Sequence, residues 1–126
     1  VIESLYNAIN RHEIVRAYSY WGTDDGTVAP FKTFSEGYRG TVHARLVVGD
    51  ITSDGAAGSI YFHVPVAVRT VNHDGSTIVA AGCYTVRQVD PKIQGKPPFT
   101  PLHIVSGKLL RAKGHTSNAV PTTCRE

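Results

Sequence analysis

The chain has 126 residues, enough for one compact domain and too few for two of ordinary size. Its 41% hydrophobic and 18% charged residues exclude a wholly disordered chain, a collagen-like repeat and a coiled coil. No apolar run reaches the roughly 18–20 residues of a transmembrane helix. Thirteen Lys and Arg against ten Asp and Glu leave a net charge of +3, without the basic stripe and interleaved aromatics of a nucleic-acid binder. A soluble single domain with no nucleic-acid partner and no membrane span is therefore expected.

In the opening segment Ile2, Leu5, Tyr6 and Ile9, then Ile14, Ala17, Tyr18 and Trp21, recur at helical spacing. That periodicity assigns Glu3, Asn7, Asn10 and Arg11 to the solvent face. A break of phase at Asn10-Arg11-His12 predicts two helices joined by a short turn. Gly22 and Thr23-Asp24-Asp25-Gly26 read as a stop and a turn. After Pro30, the stripe Phe31, Phe34 and Tyr38 predicts a short third helix that weakens at Gly37 and Gly40.

From Thr41 the period changes to two. Val42, Ala44, Leu46 and Val48 alternate with Thr41, His43 and Arg45, the pattern of a half-buried strand. Ser53-Asp54-Gly55 reads as a turn. A long second strand follows, with Ile60, Phe62, Val64, Val66 and Val68 opposed by Tyr61, His63, Ala67 and Arg69. Pro65 has no N–H for a ladder, so an edge position or a bulge is expected there. Asn72-His73-Asp74-Gly75 is a hairpin signal. In the third strand, Thr77 to Val89, Ala80, Gly82, Tyr84 and Val86 share one face, while Val79, Ala81, Cys83, Thr85 and Arg87 share the other. Neither face is strongly polar, which predicts a central strand.

Pro91, Pro97, Pro98 and Pro101 make the stretch from Asp90 to Pro101 a loop. His103 to Ala112 is the fourth predicted strand, and Gly114 to Glu126 reads as an extended polar tail. Helices first and antiparallel strands afterwards predict an α+β domain: N-terminal helices packed on a strongly curved sheet of about four long strands, with a central pocket.

Two readings are open for Cys83 and Cys124. A disulfide closing a loop of about 40 residues would tie the tail to the sheet and add ~3–4 kcal/mol in the chain-entropy model, implying a periplasmic or secreted location. Otherwise Cys83 is buried and Cys124 inert and exposed in a reducing compartment. No basic region followed by an apolar run opens the chain.

Leu5-Tyr6-Asn7-Ala8-Ile9-Asn10 with Glu13, then Ala17-Tyr18-Ser19-Tyr20-Trp21, resemble the first two helices of the nuclear transport factor 2-like (SnoaL-like, cystatin-like) superfamily. The resemblance spans residues 1–113 as one domain and leaves 114–126 as a tail. Tyr20-Trp21-Gly22, Ala57-Gly58-Ser59 with Pro65-Val66, Gly82-Cys83-Tyr84, and Pro97-Pro98-Phe99 with Pro101-Leu102-His103-Ile104 resemble an uncharacterised group of exported bacterial members. That narrower resemblance favours export and the disulfide. The superfamily holds isomerases, cyclases and dehydratases as well as non-enzymatic binding domains. It implies a homodimer through the outer sheet face, which here would present Tyr61, His63, Arg69 and Arg87.

Chemistry is harder to find. Tyr6 stands where the resemblance places the oxyanion tyrosine of ketosteroid isomerases, but Asp24 or Asp25 falls only roughly where their base belongs. The third strand offers Ala80, Gly82 and Tyr84 where their acid donor would sit. Of the histidines, His43 and His63 alternate with the apolar residues and are assigned to the convex face; His103 begins a strand near the rim. No His-x-His, His-Glu-x-x-His or Cys-x-x-Cys occurs, so no metal and no cofactor is predicted. The aromatics carry the positive signal. Tyr6, Tyr18, Trp21, Phe34 and Tyr38 from helices, with Phe62, Tyr84 and His103 from strands, are the predicted pocket lining for a small apolar or amphipathic ligand. The reading is a non-enzymatic binding domain; a SnoaL-like isomerase, cyclase or dehydratase using acid–base chemistry, and a structural dimerisation module, are the alternatives.

Overall fold

The computed structural model describes residues 1–22, 29–56, 58–90, 102–122 and 124. Asp24, Asp25 and the proline-rich stretch from Pro91 to Pro101 lie outside the described residues. Three helices come first, α1 (Ile2–Asn10), α2 (Ile14–Ser19) and α3 (Phe31–Gly37). Five strands follow: β1 (Thr41–Val48), β2 (Thr52–Ala56), β3 (Ser59–Asn72), β4 (Thr77–Val89) and β5 (His103–Ala112). A last helix, α4, spans Thr116–Ala119. The strands form one antiparallel sheet in the order β1-β3-β4-β5, with β2 pairing beside β1 along the first part of β3.

A nine-residue helix is marginal in water by itself, so α1 depends on the face it buries. Ile2, Leu5, Tyr6, Ala8 and Ile9 are all buried. Full burial of Leu5 and Ile9 contributes about 2–3 kcal/mol each. They pack with Ala17 of α2 against Ala44, Val64, Val66, Val68, Tyr84, Val86 and Ile104, a surface drawn from all four principal strands. The predicted break between helices falls at Arg11–His12. His12 N–H donates to Ile9 O (3.0 Å) and Glu13 N–H to Ala8 O (2.8 Å), closing α1 with a Schellman motif. His12 carries the left-handed conformation (φ 58°) that glycine usually supplies there.

Asn10 is not on the solvent face to which periodicity assigns it. Its Nδ2 donates to Ala44 O (2.8 Å) and its Oδ1 accepts from Ala44 N–H (2.7 Å). This paired bond satisfies backbone groups on the open edge of β1 and ties helix to sheet.

Four further expectations change in the folded chain. Ser53-Asp54-Gly55 is part of β2 rather than a turn, with Ser53 opposite Phe62 and Asp54 opposite Tyr61. Pro65 is neither at an edge nor at a bulge: β3 is central and Pro65 pairs with Cys83 of β4. Its tolerance has a topological reason. Pairing with β2 ends at His63 and pairing with β1 begins at Val66, so the missing N–H faces the junction between two partners. There Gly49 N–H still reaches Pro65 O at 2.8 Å. At the start of β1 a bulge between Thr41 and His43 reverses the alternation, burying Thr41 and leaving Val42 41% exposed. The tail is not simply extended: it forms α4, which packs on β3 and β4.

The hairpin between β3 and β4 forms as expected. Asn72 N–H donates to Ser76 O at 2.9 Å, and Gly75 takes a positive φ of 84° that a side chain would disfavour. β4 is central, as two faces of which neither is strongly polar predict.

Candidate functional site

Strand parity sorts the sheet into two faces. The concave face carries Ala44, Val64, Val66, Val68, Tyr84 and Val86 toward the helices. At its centre the phenols of Tyr6 and Tyr84 meet, their oxygens 2.6 Å apart. α1 places the first by burying its apolar stripe, and the inward parity of β4 places the second. Both residues are almost wholly buried.

From this pair a series of rings in edge-to-face or tilted contact runs outward. Tyr84 lies 6.1 Å from Trp21 between ring centroids, Trp21 lies 6.5 Å from Phe34, and Phe34 lies 5.1 Å from both Tyr18 and Tyr38. Such contacts are attractive because the positive edge of one ring faces the negative face of the next. Burial falls along the series, from the enclosed Tyr6 and Tyr84 to the partly exposed Trp21, Phe34 and Tyr38. Tyr18 sits at its outer end, its hydroxyl donating to Ala29 O at 2.7 Å. Room for the inner rings depends on Gly107 of β5. A Cβ there would lie 2.6 Å from Tyr84 Cε1 and 3.2 Å from Trp21 Cη2. A strand glycine can mark such a close approach, a signal in the sequence that the fourth-strand assignment passes over.

Phe62 packs at the border of the same core. His103 lies elsewhere. It pairs with Arg87 across β4 and β5, so parity assigns it to the face opposite Tyr84, and its buried ring rests against Gly22. Two bonds hold this corner: Gly22 N–H donates to Ile104 O (2.9 Å) and Ile104 N–H to Tyr20 O (2.8 Å). On the convex face His63 meets the Asp54 carboxylate at 3.1 Å, and Arg87 lies over the Tyr61 ring while its Nε donates to Ser59 Oγ at 2.9 Å.

The phenols stay protonated over an unusually wide pH range. Burial pushes the Tyr6 hydroxyl far above the ordinary tyrosine value, reinforced by the neighbouring Tyr84 and Tyr38. Burial likewise raises Tyr84, with Tyr38 adding to the rise and the hydrogen bond to Tyr6 working against it. Tyr38 is raised by burial alone. No group of three His, Cys, Asp or Glu able to hold a metal occurs among the described residues.

The donor inventory is unbalanced. Two phenols hold two O–H protons, and the single bond between them uses one. Among the described residues no acceptor meets the other. The Trp21 Nε1–H, shielded from solvent, also has no acceptor among them. Periodicity identified these residues as aromatic lining, but only the folded chain pairs the phenols and isolates the indole donor.

Cys83 and Cys124 form a disulfide, with Cα atoms 5.8 Å apart and the two residues 41 positions apart in sequence. Of the two readings open for these residues, the tie between tail and sheet is therefore the one realised. Such bonds persist in oxidising environments.

Helices packed on one face of a curled antiparallel sheet constitute the nuclear transport factor 2-like fold. A solved structure titled a hexachlorocyclohexane dehydrochlorinase (LinA) type 2 shares it, with a TM-score of 0.51 over 90% of this chain and 88% of that one, at 13% sequence identity. No protein-family model matches the sequence, and no curated protein matches it. Among the described residues, no helix is long and apolar enough to cross a membrane.

Proposed function

We propose that this domain is a non-enzymatic binding module that takes a small, largely apolar ligand bearing one acceptor oxygen. The ligand's body would lie among Trp21, Phe34 and Tyr38, and its oxygen would meet the spare proton of the Tyr6–Tyr84 pair or the Trp21 indole. The observation that carries this reading is that, among the described residues, the shielded Trp21 indole N–H and the second proton of the buried Tyr6–Tyr84 pair meet no acceptor. A buried donor left unsatisfied costs roughly 1–3 kcal/mol, so an acceptor arriving with an apolar body recovers more than contact area alone. The reading includes export to the periplasm or outside the cell, in keeping with the disulfide and with the exported bacterial group that the sequence resembles. It also includes a homodimer through the outer sheet face, on the side of Tyr61, His63, Arg69 and Arg87.

An acid–base enzyme is the second reading, favoured by one observation: the structural neighbour is titled a dehydrochlorinase. Against it, the described aromatic cluster contains phenols held protonated and no carboxylate or imidazole to accept a proton.

One probe tests both readings. Titration of Trp21 fluorescence with 4-methylcyclohexanone should give at least about fivefold tighter binding than methylcyclohexane, the cost of one unmet buried donor. Tyr84→Phe should reduce that preference. Equal affinity, or no binding of either, overturns the proposal. In D2O, exchange of the ketone's α-hydrogens above the buffer rate would support the enzyme instead.

A further inference from the structure

A second concave feature lies on the other side of Tyr6 and does not depend on the ketone-binding reading. Between α1 and the outer part of β1 is an open cleft of about 470 Å³, within the range of small-molecule sites. One wall is helical: Glu3, Tyr6, Asn7 and Asn10 follow at spacings of three, one and three, which aligns them along two turns, roughly 10 Å. The facing wall is apolar and consists of Ala44, Leu46 and Val48, the inward residues of β1.

The polar groups of the helical wall are unequal. Asn10 has both ends of its amide committed to Ala44. Asn7 accepts from Arg16 at 3.1 Å, and Arg16 is itself held at 2.7 Å by Glu13. Glu3 alone among the lining residues is charged, and it forms no ion pair among the described residues. A greasy wall facing a single unpaired carboxylate complements a ligand with an apolar body and one positive charge. It disfavours an anion of the same shape.

We propose that this cleft is a binding site for amphipathic monocations of the alkylammonium class, with the apolar chain along Ala44, Leu46 and Val48 and the ammonium at Glu3. The length of the helical wall suits a chain of about six carbons. Because the carboxylate is solvent-exposed, its contribution to affinity is modest and screened by salt.

Titration with n-hexylammonium, hexan-1-ol and hexanoate, followed by backbone amide chemical shifts, tests the assignment. Hexylammonium should bind roughly fivefold more tightly than the alcohol at low salt, and hexanoate should bind most weakly. The shifts should map to residues 3–10 and 44–48. Glu3→Gln should bring hexylammonium to the alcohol's affinity, while Leu46→Ser should weaken all three. The proposal fails if no ligand binds, if the three bind equally, if the cation preference survives Glu3→Gln, or if the shifts map elsewhere. Loss of ketone binding in the aromatic cluster would leave this result untouched, so the two proposals stand or fall separately.

Discussion

The two faces of the sheet are covered by different means. The concave face lies under α1–α3, with Leu5, Ile9 and Ala17 fully buried, and its cover is held by apolar contact and by the Asn10 clamp. The convex face lies under a far thinner element. α4 is a four-residue helix whose neighbour Val120 approaches Gly49, beside Pro65, and Pro65 and Ala67 are fully buried on that side. So short a segment cannot bury enough apolar surface to offset the entropy of ordering it. Its covalent tie from Cys124 to Cys83 supplies what packing cannot, because it removes freedom from the unfolded chain. Cys83 stands opposite Pro65 in the ladder, so the tie anchors next to the residues that the strap covers.

Reduction of the disulfide should have the largest effect on this contrast. The 41-residue separation corresponds to about 4 kcal/mol of stabilisation in the chain-entropy model, to be read from urea unfolding with and without a phosphine reductant. Hydrogen exchange should show residues 114–122 losing protection while α1 keeps its own. Simultaneous loss in both would mean that the faces form one cooperative unit. Alkaline pH should act on the concave face instead. The folded values of Tyr6 and Tyr84 are raised, so the unfolded chain releases those protons first, near pH 10. Their contribution is fully present below that pH and is lost as pH rises toward the folded values, at about 1.4 kcal/mol per pH unit for each phenol. Urea midpoints from pH 8 to 11.5 should show the decline, and the Tyr6→Phe/Tyr84→Phe double variant should flatten it.

Tyr84→Phe alone should cost about 1–2 kcal/mol, since it leaves the Tyr6 hydroxyl buried without a partner. Replacing both should cost less than the sum of the single changes, and additive losses in a double-mutant cycle would show that the 2.6 Å contact carries no coupling. The smallest expected effect is at the helix junction. His12→Gly should raise stability by up to about 1 kcal/mol, because glycine adopts the left-handed conformation without the Cβ penalty. A thermal melt that shows destabilisation instead would mean that the His12 side chain contributes contacts outweighing that penalty.

Much of the fold is legible in the residues, and its legibility has a local cause. The phase break before His12, the change to a period of two at Thr41 and the hairpin at Asn72–Gly75 are all signals carried by neighbouring positions. The misread elements share the opposite property. Thr52–Ala56 has no alternation of its own and is a strand because β3 extends past the end of β1 and offers it a partner. Pro65 is tolerated in a central strand because two partners meet at its missing donor. Asn10 is polar on a nominally wet helix face, yet an open strand edge lies within its reach.

The candidate site divides the same way. That Tyr6, Trp21, Phe34, Tyr38 and Tyr84 face inward follows from periods of 3.6 and 2.0, so residue order alone specifies an aromatic interior with little charge. It also confined a disulfide choice to two cysteines, one on the outward face of a central strand. Whether those cysteines meet, which two phenols hydrogen-bond, and which donors lack an acceptor among the described residues depend on how the elements pack. Periodicity specifies the face on which a side chain lies. Distance between residues 78 positions apart, as Tyr6 and Tyr84 are, is set by how the elements pack.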